Sequence, residues 1–203
     1  MPKTWLKKHR NDYYYRKAKE EKYRSRAAYK LMQAVHKYGF IKPNDIVVDL
    51  GAAPGGWMQV ASKVVGGQGI VLGIDIKEIE PFEERNTCAI VDDVTNLDLT
   101  NQLKNILPRS ADVVISDVAP NLTGVWDLDH TRQIDLARRS LQIALALLKP
   151  GGNFFVKTFQ GDLIRDFVEE VKHHFARVEI IKPPASRARS AEIYILGLRL
   201  KAE

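Results

Sequence analysis

Residues 47–57, Val-Val-Asp-Leu-Gly-Ala-Ala-Pro-Gly-Gly-Trp, set the frame for the rest of the chain. Apolar Ile46, Val47 and Val48 read as a short buried strand, Asp49 closes it, and a glycine-rich turn hands the chain to a helix from Trp57. Strand, turn and helix in this order build nucleotide sites, because Gly51, Gly55 and Gly56 carry no Cβ to hold a ligand off the backbone. An adenosine-containing cofactor suits such a turn. The spacing is not G-x-G-x-x-G, so a dinucleotide fits poorly. A tight turn that holds no ligand is the competing reading.

From residue 45 onward, short apolar runs alternate with helical segments, the pattern of a parallel α/β sheet. Strands are expected near 45–49, 70–75, 88–92, 112–117 and 153–158, helices near 57–66, 98–107, 129–148 and 162–175, and late strands at 176–182 and 191–199. Upstream, Ser25 is placed to cap a helix that carries Ala28, Leu31, Ala34, Val35 and Tyr38 on one face and stops at Gly39. The strands finish alike: at Asp49, at Asp75, at Asp92-Asp93, at Asp117 and at Lys157. Five ionisable ends together describe a polar crevice along the carboxyl edge of an open sheet, where such folds bind ligands. Asp75 follows Gly55 by 20 residues, the offset at which a second-strand carboxylate reaches ribose hydroxyls. Asp93 is then expected at an adenine edge and Asp117 near the reacting end. In the alternating run 191–196, Glu192, Tyr194 and Leu196 share a face. Glu192 enters the crevice only if that strand runs antiparallel.

Charge is unevenly spread. Residues 1–30 hold 11 Lys or Arg against Asp12, Glu20 and Glu21, a balance of +8 within a net +6, so the other residues sum to −2. Residues 1–24 are polar without a sustained period and are expected to be loosely ordered without a partner. There Tyr13, Tyr14, Tyr15 and Tyr23 interleave with Arg16, Lys17, Lys19, Lys22 and Arg24, offering phosphate neutralisers and flat faces for stacking, which points to a nucleic-acid partner. The single Cys88 leaves no internal disulfide, and in Cys88-Ala89-Ile90-Val91 it is expected as a buried strand residue of a reducing, cytoplasmic protein. No run approaches the length of a membrane span.

Five segments carry a resemblance: Ser25-Arg26-Ala27-Ala28-Tyr29-Lys30-Leu31, the stretch Val48 to Trp57, Ser116-Asp117-Val118-Ala119-Pro120-Asn121, Val156-Lys157-Thr158-Phe159-Gln160-Gly161, and Ser186-Arg187-Ala188-Arg189-Ser190 with Glu192. Together they resemble the FtsJ/RrmJ family of S-adenosylmethionine-dependent RNA ribose 2′-O-methyltransferases, from about residue 22 to the end. The resemblance implies a Rossmann-like α/β methyltransferase fold, a seven-stranded, mostly parallel sheet with an antiparallel last strand and helices on both faces. It implies one methyltransferase domain over 25–203, with 1–24 as an RNA-contacting segment. A K-D-K-E tetrad falls on Lys30, Asp117, Lys157 and Glu192. Since a ribose hydroxyl is too weak an acid for water alone, Lys157 is the expected proton acceptor.

S-adenosylmethionine is the implied cofactor, with Gly55, Trp57, Asp75, Asp93 and Asp117 as its residues. Val91-Asp92-Asp93 departs from the family's usual Gly-Asp, which leaves open which aspartate faces adenine. No metal is expected, nor DNA or membrane as partner. The implied substrate is a uridine ribose of large-subunit ribosomal RNA. Transfer RNA is the alternative, although that branch commonly carries extra C-terminal sequence. A non-catalytic RNA-binding relative is expected to have lost a tetrad lysine, and a small-molecule methyltransferase has no use for the basic, tyrosine-rich segment.

Overall fold

A computed structural model describes residues 13–202. The elements in chain order are α1 (Tyr13–Glu20), α2 (Ala28–Tyr38), β1 (Ile46–Leu50), α3 (Gly56–Val65), β2 (Ile70–Asp75), β3 (Thr87–Val91), α4 (Leu99–Ile106), β4 (Ala111–Ser116), α5 (Trp126–Leu147), β5 (Leu148–Phe159), α6 (Ile164–His174), β6 (Phe175–Ile181) and β7 (Glu192–Leu200). The strands form one sheet in the order β3-β2-β1-β4-β5-β7-β6. β1 pairs in parallel with both β2 and β4, so the order reverses beside the glycine turn. β7 is antiparallel to β5 and β6.

Both faces of the central strands are buried, which is why β1 and β4 are apolar runs rather than alternating ones. The pleat divides the core in two. Ile46, Val48, Leu50, Val114, Phe154 and Val156 pack under α4, α5 and α6, whereas Val47, Val113, Phe155 and Tyr194 pack under α2 and α3.

Several sequence expectations change at this level. Cys88 is exposed, because β3 is the sheet's edge strand and none of its residues is fully buried. Asp49 does not end β1 at solvent; it is the fourth of five strand residues, and its side chain is fully buried. Ser25 does not cap α2 through its hydroxyl. The helix starts after Ala27 with no side-chain cap, and the Ser25 carbonyl accepts instead from Ala28 N–H at 3.3 Å. The stop at Gly39 holds, with φ +61° and its N–H bonded to Val35 O.

Loose order does not describe 13–24: α1 packs on α2 through Tyr14 and Tyr29, with ring centroids 5.3 Å apart, and through the buried Ala18. The rest of the segment lies outside the described residues. α5 begins at Trp126, three residues earlier than the pattern predicts. The reason is Asp129, whose carboxylate gathers the preceding loop by accepting from Thr123 N–H, Thr123 hydroxyl and Gly124 N–H at 2.8, 2.8 and 3.0 Å.

Candidate active site

The glycine turn is crowded by protein. Gly51 has φ +75°, and a Cβ there would lie 2.8 Å from Val118 N. Gly55 has φ +106°, and its Cβ would meet Phe82 Cζ at 2.6 Å and Arg24 Nη1 at 3.0 Å, while Gly56 lies against the Ser25 hydroxyl. Backbone conformation and close packing therefore already require glycine here. Arg24 straps this region together: its guanidinium donates to Glu80 O at 2.6 Å, Pro81 O at 2.7 Å and Pro54 O at 3.3 Å, and lies 3.7 Å over the Phe82 ring. The sequence reading counted Arg24 only as a surface charge.

A cleft of about 410 Å3 opens at the carboxyl ends of β1, β2 and β4, lined among others by Gly51, Asp75, Asp93, Asp117 and Asn121. Asp75 ends β2, and two backbone donors aim its carboxylate: Ala53 N–H to Oδ2 and Lys77 N–H to Oδ1, both at 2.9 Å. Each oxygen keeps a further lone pair for a hydroxyl donor. Asp92 and Asp93 both line the cleft. Asp92 accepts from Asn96 Nδ2 through both oxygens, at 3.0 and 3.1 Å. Asp93 Oδ1 accepts from Thr95 N–H and hydroxyl, which hold its carboxyl below the usual aspartate value against a smaller opposing effect of burial. Gly55 and Trp57 are not in the lining. The Trp57 indole is buried under Phe155 and Tyr194 and donates to Ala27 O at 2.8 Å.

The antiparallel pairing of β7 with β5 sets Tyr194 opposite Lys157 and Glu192 opposite Phe159. This brings the four tetrad positions together as two ion pairs. Lys157 Nζ lies 3.1 Å from Asp117 Oδ1 and donates to Asp117 O at 2.6 Å, and Lys30 Nζ lies 2.8 Å from Glu192 Oε2. Both lysines are buried, at 8% exposure for Lys30 and 5% for Lys157, so their partners and not water define where the amines point. Burial works to raise the Glu192 carboxyl, but the Lys30 ammonium, with Lys157 and Ser190 behind it, brings it below the ordinary glutamate value.

Tyr194 lies between the pairs, with its hydroxyl 3.4 Å from Asp117 Oδ1 and its ring 5.7 Å from Lys30 Nζ. Burial first, then the Asp117 and Glu192 charges, push this phenol well above its ordinary value, so it remains an O–H donor. Sequence reading placed Tyr194 on the face of Glu192 without seeing this role. It missed Gln133 too, whose amide bridges Val118 O and Lys157 O at 3.1 Å each and so fixes β4's loop to β5. A glutamine at helical spacing from Ala137, Leu141 and Ala144 is the signal that could have found it.

Lys30 and Glu192 also line a second cleft, of about 480 Å3, with Arg26, Arg187, Arg189 and Ser190. Burial, and then the Arg187 charge, pull the Arg26 guanidinium down from its ordinary value. Like charges held so close favour an anion between or beside them.

The sheet order, with its antiparallel seventh strand, and a buried lysine and carboxylate pair at the edge beside a carboxylate-lined cleft, define a Rossmann-like methyltransferase. The FtsJ-like methyltransferase model matches residues 23–200, and the chain belongs to that family. A protein from Methanocaldococcus jannaschii named ribosomal RNA large subunit methyltransferase E is 50% identical over 200 residues, covering 97% of this chain and 82% of its own. Its namesake from Methanothrix thermoacetophila is 54% identical over 189 residues, covering 93% and 72%. A crystal structure from Plasmodium falciparum, provisionally assigned as a ribosomal RNA methyltransferase, superposes with a TM-score of 0.79 at 29% identity, over 89% of this chain and all of that one. No described helix is long and apolar enough to cross a membrane.

Proposed function

We propose that this methyltransferase uses S-adenosylmethionine to methylate the 2′-hydroxyl of a ribose, that of a uridine, in large-subunit ribosomal RNA. The names of its relatives support the RNA class, and the site supports the chemistry. The observation that carries the reading is the Lys157 amine, buried and held by both the carboxylate and the carbonyl of Asp117. Asp117 itself lines the Asp75 cleft, and Lys30 with Glu192 lines the basic one.

The donor set fits the cofactor. Asp75, already aimed by two amides, would hold the ribose hydroxyls, Asp93 or Asp92 the adenine edge, and Asp117 the charged methionine end. Gly55 and Trp57 would contribute through the main chain at the start of α3, because the Trp57 indole is engaged in the core. When bound, S-adenosylmethionine would supply an electrophilic methyl group on a positively charged sulfur, itself a good leaving group.

The protein's part is orientation and proton removal. Asp117 occupies two of the directions around Lys157 Nζ, so an amine that has given up its third proton would present its lone pair in a fixed direction to the acceptor hydroxyl and take that hydroxyl's proton. Glu192 holds Lys30, and Tyr194 donates toward Asp117, so neither catalytic charge swings away. Arg26, Arg187 and Arg189 neutralise phosphates of the acceptor strand.

Lys157→Arg tests the base, because a guanidinium keeps charge and donors but does not deprotonate at working pH. Single-turnover transfer to ribosomal RNA is expected to fall to background in Lys157→Arg and Lys157→Ala alike, with cofactor affinity close to wild type. An arginine variant that keeps a substantial fraction of the rate rules out proton transfer to Lys157.

A further inference from the structure

Four of the ten large hydrophobic side chains that are markedly exposed among the described residues fall within seven positions: Leu122, Val125, Trp126 and Leu128. Single exposed apolar groups need no explanation, but a cluster marks a contact surface. This one is built rather than frayed. The buried Asp129 carboxylate holds loop residues Thr123 and Gly124 by three hydrogen bonds, so the loop has one shape. Trp126 stacks on the buried His130 with rings 8° from parallel, and His130 Nε2 in turn accepts from Leu163 N–H at 3.2 Å. A second ring, Phe159, backs Trp126 at 6.1 Å between centroids. With 48% of its surface exposed, Trp126 is a ring supported from behind and open in front.

Its position gives the ring a use. Phe159 lies two residues beyond Lys157 and opposite Glu192, and the loop that delivers Trp126 begins at Asp117. Gln133, two turns further along α5, grips the Lys157 carbonyl, so Trp126 stands roughly 10 Å along the helix axis from a direct contact with the catalytic strand. An RNA strand presenting one ribose at Lys157 has bases to place within that reach, and an unstacked base loses its neighbours unless a flat surface replaces them.

Resting on the proposed activity, we infer that Trp126 is a stacking platform for one nucleobase of the acceptor strand, at or beside the methylated nucleotide. The platform accepts any base, because every base has a π-face, and it selects for an unpaired, splayed acceptor.

The test uses the full chain and a large-subunit ribosomal RNA fragment, with affinity measured separately from single-turnover transfer. Trp126→Leu keeps apolar bulk without a ring, and Trp126→Phe keeps a ring. The leucine variant is expected to bind the RNA roughly fivefold to a hundredfold more weakly, and the phenylalanine variant to recover most of that loss. S-adenosylmethionine affinity is expected to be unchanged in both. Abasic sites scanned across the methylated nucleotide and its neighbours add the readout that a merely structural role would not move: one of them should weaken the wild type and leave the leucine variant unaffected. Equal RNA affinity of the leucine and wild-type proteins overturns the inference and marks an apolar patch for a protein partner or none. A scan without any such silent position overturns it as well. Wild-type protein that binds the fragment but methylates no ribose sinks the proposed activity instead, and the binding data still decide the stack.

Discussion

Replacing Asp75 by asparagine changes one oxygen to NH2 and nothing else in shape. The native carboxylate accepts one backbone N–H on each oxygen, from Ala53 and from Lys77, both at 2.9 Å. Whichever way the amide turns, its NH2 faces a donor, so one of the two bonds is lost and the side chain loses its aim. A hydrogen bond to a charged group is worth about 1.5–3 kcal/mol, and losing the ribose contact on that scale weakens cofactor binding by roughly ten- to a hundredfold. Asp75→Ala removes all the contacts and should land in the same range, because the asparagine retains shape without orientation. Calorimetric titration with S-adenosylmethionine measures both variants without RNA. Thermal melting should also drop in both, since the alanine leaves the Ala53 and Lys77 N–H groups without their carboxylate and the asparagine leaves one of them so. If Asp75→Asn binds the cofactor as tightly as the wild type, the assignment of the second-strand carboxylate to the ribose is wrong.

Two further perturbations address the core of the sheet and the RNA face. Burial, and then the charges of Asp117 and Asp75, push the Asp49 carboxyl well above its ordinary value, and neither of its oxygens has a protein hydrogen bond. The folded chain then keeps a proton that the unfolded chain releases near pH 4, so native stability falls as pH rises from there toward the folded value, by up to about 1.4 kcal/mol per unit. Asp49→Asn does not titrate, so its melting temperature relative to wild type should climb between pH 5 and 7; a pH-independent difference would refute the buried neutral acid. On the RNA side, Arg16, Lys19 and Lys22 are exposed on or just after α1. Changing all three to glutamine should make the plot of log affinity against log salt shallower by roughly 2, at about 0.7 per phosphate contact on single strands, with cofactor affinity unchanged. An unchanged slope would make them ordinary surface charges.

Much of the site was legible in the chain because it is carried by local signals. Apolar runs that end in Asp75, Asp117 and Lys157 identify strands meeting a polar edge, whatever packs around them, and the alternating run 191–196 places Glu192 and Tyr194 on one face. Lys30 was not legible from spacing, since on its own helix it is an ordinary flank lysine; only the resemblance singled it out. Its burial against Glu192, 162 residues away, comes from α2 covering the sheet. The basic segment read correctly as charge but not as structure. Its tyrosines were expected to offer free faces, whereas Tyr14 and Tyr23 lie against Tyr29 and leave Tyr13 as the largely exposed ring.

What the sequence determined by itself was periodic or local: the order of strands and helices, the glycine turn with its positive φ angles, the stop of α2 at Gly39 and the surplus of charge at one end. Those depend on steric and hydrophobic preferences of a residue and its near neighbours, which are written consecutively along the chain. Tertiary structure alone decided whether a polar group is a surface ornament or a buried instrument. Cys88 and Asp49 exchanged their expected places because an edge strand leaves one side open while a central strand is covered on both faces. The antiparallel turn of β7 set Tyr194 opposite Lys157, and the packing of α5 brought Gln133 onto the Lys157 carbonyl. Such pairings join residues tens of positions apart, and desolvation, which sets their strength, depends on what covers them and has no signature in the spacing of the residues themselves.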